Sequence, residues 1–173
     1  DAEGNSRIVH VWDQSGRNGN TPSMGYGVVF DTPELIRSAA HDVSRDTHGT
    51  HVAAIAASSA DVYKGMAPES DIVVVATDKS ESGIIDALAY LLDYAEKEKK
   101  PIAINLSMGT VIGFKDGTDP IASMIDELLD KSGKKCLMAI AAGNEGHRNS
   151  TIVTEATGQG EVINTSFTPP SRW

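Results

Sequence analysis

Short apolar runs separated by helical patterns recur along this chain of 173 residues, and no other feature limits the fold as tightly. Ile72 to Ala76 is an uncharged, mostly β-branched run with the character of a central strand, and Ile102 to Leu106 reads as another strand. Parallel neighbours cannot be joined by a tight turn, so the chain between them must cross back over the sheet, usually as a helix. Arg7 to Trp12 reads as the first strand, and Gln14 to Gly27, with four Gly and one Pro in fourteen residues, as loop. Thr32-Pro33-Glu34 opens a short helix through about Ala40, with an N-cap hydroxyl, Pro at the first helical position and an acid facing the helix dipole. Val52 to Ala57 suits a buried helix packed closely on a sheet, and Gly65-Met66-Ala67-Pro68 punctuates the chain beyond it.

From Ser82 to Lys99 the residues Ile84, Ile85, Leu88, Leu91, Leu92 and Ala95 recur at helical spacing, and Pro101 stops the run. Asp119-Pro120 caps a further amphipathic helix to about Lys131. Cys136 to Ala142 gives a strand ending in Gly143-Asn144-Glu145-Gly146, and Glu161 to Phe167 a last strand. The order β, α, α, β, α, β, α, β with right-handed crossovers predicts an α/β fold. Its form is a doubly wound, mostly parallel sheet with helices on both faces.

Composition removes several functional classes. Lys and Arg number 15 against 24 Asp and Glu, a formal charge of −9, and nucleic-acid binding needs a cationic face to displace counterions. The single cysteine, Cys136, excludes an internal disulfide and a multi-Cys metal site, and reads as a small buried hydrophobe at the start of its strand. The longest stretch without charge, Pro101 to Phe114, is too short and too polar to span a bilayer. Asp1 to Ser6 has neither the basic nor the apolar part of a signal peptide and no initiator Met, so the front of the chain reads as trimmed.

In such sheets function sits at the carboxyl ends of the strands. That directs attention to Asp13, to Asn105 through Gly109, and to Gly143 through Gly146. A carboxylate at Asp13, an imidazole at His48 and a Gly-flanked side-chain amide at Asn144 are three of the four parts of a Ser-His-Asp acyl-transfer site. Each has a plainer reading. An Asp at a strand end commonly closes an Asx turn, and a Gly-Asn turn commonly serves only the backbone. His48 and His51, three apart, suggest a metal pair, but no Glu lies between them and no Cys is near.

Taken together, His48-Gly49-Thr50-His51-Val52-Ala53, Gly65-Met66-Ala67-Pro68, Asn105-Leu106-Ser107-Met108-Gly109 and Ala141-Ala142-Gly143-Asn144-Glu145-Gly146 resemble four successive motifs of the subtilisin-like serine proteases. The resemblance runs from about residue 7 to residue 147. Val11-Trp12-Asp13-Gln14 and Gly25-Tyr26-Gly27 look most like the branch of clostridial spore-germination proteases and related secreted bacterial enzymes. It implies that Asp13 is the triad carboxylate, His48 the general base and Asn144 the oxyanion-hole amide. It also implies that Ser107, Met108 and Gly109 pair with an extended polypeptide substrate, and that Met108 with Ala141, Ala142 and Gly143 lines the first specificity pocket. His51 is expected on the packed side of its helix. The family usually has Asp-Ser/Thr-Gly where this chain has Asp13-Gln14-Ser15, and Gly where it has Ala54. No calcium site, other metal or cofactor is carried over.

The nucleophile is the larger departure. Its usual setting, Gly-Thr-Ser-Met/Ala-Ala-x-Pro, does not occur; Asn164-Thr165-Ser166-Phe167-Thr168-Pro169-Pro170 has Thr-Ser and a later Pro but no helix after Ser166 to polarise the hydroxyl. The expectation is that residues 1–173 are the front portion of a subtilisin-like catalytic domain, with 150–173 entering an inserted β-rich segment. The chain by itself would then be inactive and would depend on the rest of its own domain. The whole protein would be a serine endopeptidase, placed by family analogy outside the cell, in the periplasm or on the cell surface. A pseudoprotease or peptide-binding module is the alternative. A nucleotide-binding domain is disfavoured, because neither Gly-x-Gly-x-x-Gly nor Gly-x-x-x-x-Gly-Lys-Ser/Thr occurs.

Overall fold

The computed structural model describes residues 5–39, 47–110, 113–114, 116–145 and 158–159. The expected strand at Glu161 to Phe167, the segment around Ser166 and Gly146 lie outside the described residues. Strand β1 (Ile8–Asp13) pairs in parallel with β3 (Ile72–Ala76), from Ile8 opposite Ile72 to Asp13 opposite Ala76, with a register shift between Ile8 and His10. Strand β2 (Val28–Phe30) pairs antiparallel with β1, so this sheet runs β2-β1-β3. Strands β4 (Ile102–Leu106) and β5 (Cys136–Ile140) form a second parallel pair, Ile102 opposite Cys136 and Leu106 opposite Ile140.

Both parallel pairs are joined through crossover helices, as the sequence rhythm requires. Helix α1 (Pro33–Ser38) starts where Thr32 Oγ1 accepts from Leu35 N–H at 3.3 Å, and α3 (Glu81–Glu98) where Ser80 Oγ accepts from Gly83 N–H at 2.9 Å. Helix α4 (Pro120–Ser132) starts where the Asp119 carboxylate accepts from Ile121 N–H at 2.9 Å. Each cap supplies an acceptor to an N–H that has no partner inside its helix.

The core lies between β1 and α3. Trp12 is fully buried, against Val29 and Tyr90, with Met24, Tyr26, Val75 and Ala87 around it. The Trp12 ring lies 4.7 Å from that of Tyr90 and 5.3 Å, edge on, from that of Tyr26; the indole N–H donates to Tyr26 O at 3.2 Å. With few aromatics in the chain, this one cluster fastens the strand that ends in Asp13 to the helix after β3.

Several expectations change. The sequence does not announce β2: Val28, Val29 and Phe30 are only three residues between a Gly-rich loop and a helix cap, too few to show a strand period. β3 is half-buried and is hydrogen-bonded to β1 alone among the described residues, so its expected central position is not met there. Helix α2 (His48–Ala57) departs from the expectation of a buried helix, since only Ala57 is buried; Ile55 is 60% exposed and His51, expected on the packed side, is exposed too. What neighbouring chain holds is its last turn, through Arg7 and the backbone of residues 65–67. Cys136 does begin β5, half-buried, and burial pushes its thiol up.

Beside the Trp12 cluster, the His10 imidazole bonds the Tyr90 hydroxyl and stacks, tilted, 4.9 Å from the Tyr94 ring. Burial holds this imidazole below the ordinary value of 6.5, while the charges of Asp31 and Glu98 pull it upward. The unfolded chain therefore takes up the proton more readily than the folded one. Stability should be full above pH 6.5 and fall as the pH drops from there toward the lower folded value. Urea midpoints measured from about pH 8 to 5 should decline more steeply for the native chain than for His10→Gln; equal slopes would remove His10 from the acid response.

Candidate active site

Asp13 is the last residue of β1, at the carboxyl end of the parallel pair. Its backbone carbonyl accepts from Gly16 N–H at 3.2 Å and its Oδ1 accepts from Ser15 N–H at 2.9 Å. The plainer reading of an Asx turn is therefore present, and Asp13 lines a cleft of about 440 Å³ together with Arg17, Asn20, Val28, Phe30 and Leu35.

Gln14, the next residue, continues the ladder by donating its N–H to Ala76 O at 3.0 Å and then turns its side chain inward. At 5% exposure it is the buried polar side chain of the described core. Nε2 donates to Gly83 O at 2.7 Å and Oε1 accepts from Asp78 N–H at 3.0 Å. A Cβ at Gly83 would stand 2.2 Å from Asp78 Oδ1 and 2.9 Å from both Gln14 Oε1 and Ser80 Oγ, so the first turn of α3 closes on these three side chains without room for one.

His48 is the first residue of α2 and is exposed. The other end of this helix is held where β1 and β3 begin. Arg7, just before β1, donates from its guanidinium to Ala57 O and, at 2.7 Å, to Ser70 O. The next turn of chain supplies further donors: Gly65, Met66 and Ala67 N–H bond Ser58, Ile55 and Ala56 O at 2.8, 3.2 and 2.9 Å. The unpaired carbonyls of a helix C-terminus are thus satisfied, with a cation at the negative end of the dipole. His48 stands about 14 Å further along the helix axis.

The second pair of strands carries the remaining candidates. Ser107, Met108 and Gly109 leave β4 beside Ala141, Ala142, Gly143 and Asn144, which leave β5, and Ala141 N–H still donates to Leu106 O at 3.1 Å. A Cβ on Gly109 would lie 3.8 Å from Ala141 O, so the two segments stay adjacent beyond their strands. Asn105 Nδ2 donates to Ser107 Oγ at 2.9 Å. Gly143 has φ +91°, a region natural to glycine, and the exposed Asn144 comes directly after it. Asn144 N–H donates to the Glu145 carboxylate at 2.8 Å.

The structure therefore brings 107–109 and 141–144 together, and places Asp13 and His48 on separate elements, β1 and α2. Sequence reasoning missed Arg7, the inward turn of Gln14 and the Glu145 contact. It also missed a groove of about 540 Å³ between the first turns of α3 and α4, lined by Glu81, Ser82, Ile85, Asp86, Ile121 and Met124. Only Gln14 carried a visible signal, as a departure from the usual residue after the triad Asp. Among the described residues no three His, Cys, Asp or Glu side chains gather to hold a metal ion, and no helix is long and apolar enough to cross a membrane.

A sequence model of the Subtilase family, peptidase S8, matches residues 30–168. The chain belongs to this family. It is 30% identical over 144 residues to the subtilisin-like protease PopC of Myxococcus xanthus, covering 69% of this chain and 29% of that protein. It is 32% identical over 91 residues to pyrolysin of Pyrococcus furiosus, covering 50% of this chain and 6% of that one. The solved CspB protease of Clostridium perfringens superposes with a TM-score of 0.65 at 27% identity, over 84% of this chain and 33% of that one. The subtilisin-like α/β fold, the subtilase membership and the likeness to a clostridial protease all agree with the sequence reading. This subtilase chain spans less than a third of the length of the curated relatives it matches.

The anchoring of α2 through Gly65 is open to test. A Cβ there would lie 2.6 Å from Ala57 N and 2.9 Å from Ala54 O, both backbone atoms that cannot swing aside. Gly65→Ala should cost about 1–3 kcal/mol by urea unfolding and speed amide exchange at Met66 and Ala67. Unchanged stability and exchange would show that α2 is held by other means.

Proposed function

We propose that this subtilase chain is a portion of a serine endopeptidase catalytic domain in which Asp13, His48 and Asn144 act on a polypeptide substrate held extended along Ser107, Met108 and Gly109. The observation that carries this reading is the placement of Asp13, Ser107–Gly109 and Gly143–Asn144 at the carboxyl ends of two parallel strand pairs, the edge where such folds do their chemistry. The crossover is compatible with this reading: α2 ends where β1 and β3 begin, and a helix that returns antiparallel to the strands would carry its first residue, His48, to the edge where Asp13 emerges.

In this reading Asp13 holds one ring nitrogen of His48 protonated and leaves the other free to accept a hydroxyl proton. Asn144 donates its side-chain amide to the oxyanion of the tetrahedral intermediate, its turn set by Gly143. The backbone of 107–109 pairs with the substrate as an added strand, and Met108 with Ala142 and Gly143 borders the first side-chain pocket. The reaction runs through an acyl-enzyme and needs no cofactor from these residues. The serine comes from polypeptide outside residues 1–173, because no Gly-Thr-Ser-x-Ala occurs in them; residues 150–173 lead into an inserted segment, and the site works outside the cell, in the periplasm or at its surface. That same lack of a serine motif is what favours the second reading, a peptide-binding module that grips without cutting.

A fluorophosphonate probe separates the outcomes. It should label the polypeptide that carries the complete domain, on a serine outside this chain, and leave residues 1–173 unlabelled. Labelling of Ser166 would overturn the placement of the nucleophile, and a complete domain that resists the probe would favour the binding module.

A further inference from the structure

We infer that Gln14 is a positioning residue for Asp13, an inference that rests on the triad reading above. The amide is buried and lies one residue beyond the carboxylate. It joins three pieces of chain: the end of β1, the turn after β3 at Asp78, and the first turn of α3 at Gly83. Because its own N–H is committed to Ala76 O, the backbone on the far side of Asp13 is held to β3 as well. The Asx turn from Ser15 sets the local rotation of the carboxylate, and the Gln14 amide sets where that turn sits on the sheet.

The residue type matters. Bridging Asp78 N–H and Gly83 O takes one acceptor and one donor on the same planar group, which an amide supplies and a carboxylate or thioether does not. The Ser or Thr usual after the triad Asp is two bonds shorter. Gly83 accepts the amide on α3, at a position where a Cβ would crowd Asp78 Oδ1 as well as Gln14 Oε1 and Ser80 Oγ. The buried amide therefore transmits the position of α3 to the carboxylate that orients His48, without touching substrate.

Gln14→Met keeps length and removes both hydrogen bonds; Gln14→Glu keeps the acceptor and loses the donor. In the polypeptide carrying the complete domain, both should lower kcat about tenfold or more with KM within about twofold. Both should also weaken the low-field ring N–H proton resonance that marks a histidine bonded to a carboxylate, with Met the more severe. The far-ultraviolet circular dichroism and unfolding midpoint report the folded fraction. Unchanged kcat and an intact low-field proton in folded variants would overturn the role of Gln14, as would a loss of kcat that only tracks the folded fraction. A native protein with no low-field proton, or a fully active His48→Ala, would instead overturn the triad reading and this inference with it.

Discussion

The parallel pairing of β1 with β3 is the constraint on which the rest of the arrangement depends. Two strands that run the same way cannot be closed by a hairpin, so the chain leaving β1 at Asp13 must return across the sheet before β3 can start. α2 makes the last leg of that return, and Arg7 together with the 65–67 backbone seizes its final turn beside the strand beginnings. One end of the crossover is thereby fixed by charge and hydrogen bonds, and the end that begins with His48 is left exposed. The same pairing sends α3 back over β1, where Trp12 and Tyr90 lock the layers together.

The candidate chemistry is divided between two strand pairs. In the proposed site the carboxylate comes from the end of β1, and the peptide edge and the amide donor from the segments that leave β4 and β5. Among the described residues α3 packs against α4 and against β1, and so links the two halves. An acyl-transfer site depends on donors and acceptors that are already in place before charge develops. Gln14 matters in that light because it ties the carboxylate half to α3 through a buried side chain bonded at both its nitrogen and its oxygen.

The sequence disclosed the fold well where the code is local. Thr32 before Pro33 and Asp119 before Pro120 cap their helices as the sequence reads, and Ser80, just ahead of the periodic run from Ser82, caps the third. In the candidate site, the turn at Gly143 before Asn144 was legible, because a positive φ there is natural to glycine. The illegible part was long-range. A run such as Ile72 to Ala76 reports how much surface a strand is suited to bury and not which neighbours cover it. Val52 to Ala57 promised a buried helix for the same reason, whereas α2 is held by its end through Arg7, fifty residues away in sequence. Gln14 beside Gly83 is likewise a contact between residues that no pattern connects.

In the proposed mechanism Asp13 and His48 act as one unit across the crossover that leads from β1 through α2. A double-mutant cycle on kcat tests it most directly, with Asp13→Asn, His48→Ala and the pair compared in the polypeptide carrying the complete domain. Groups that act as a unit are strongly non-additive, so the double variant should be no slower than His48→Ala alone. Losses that multiply across the two substitutions would mean that the carboxylate and the imidazole work independently, and would overturn the triad assignment.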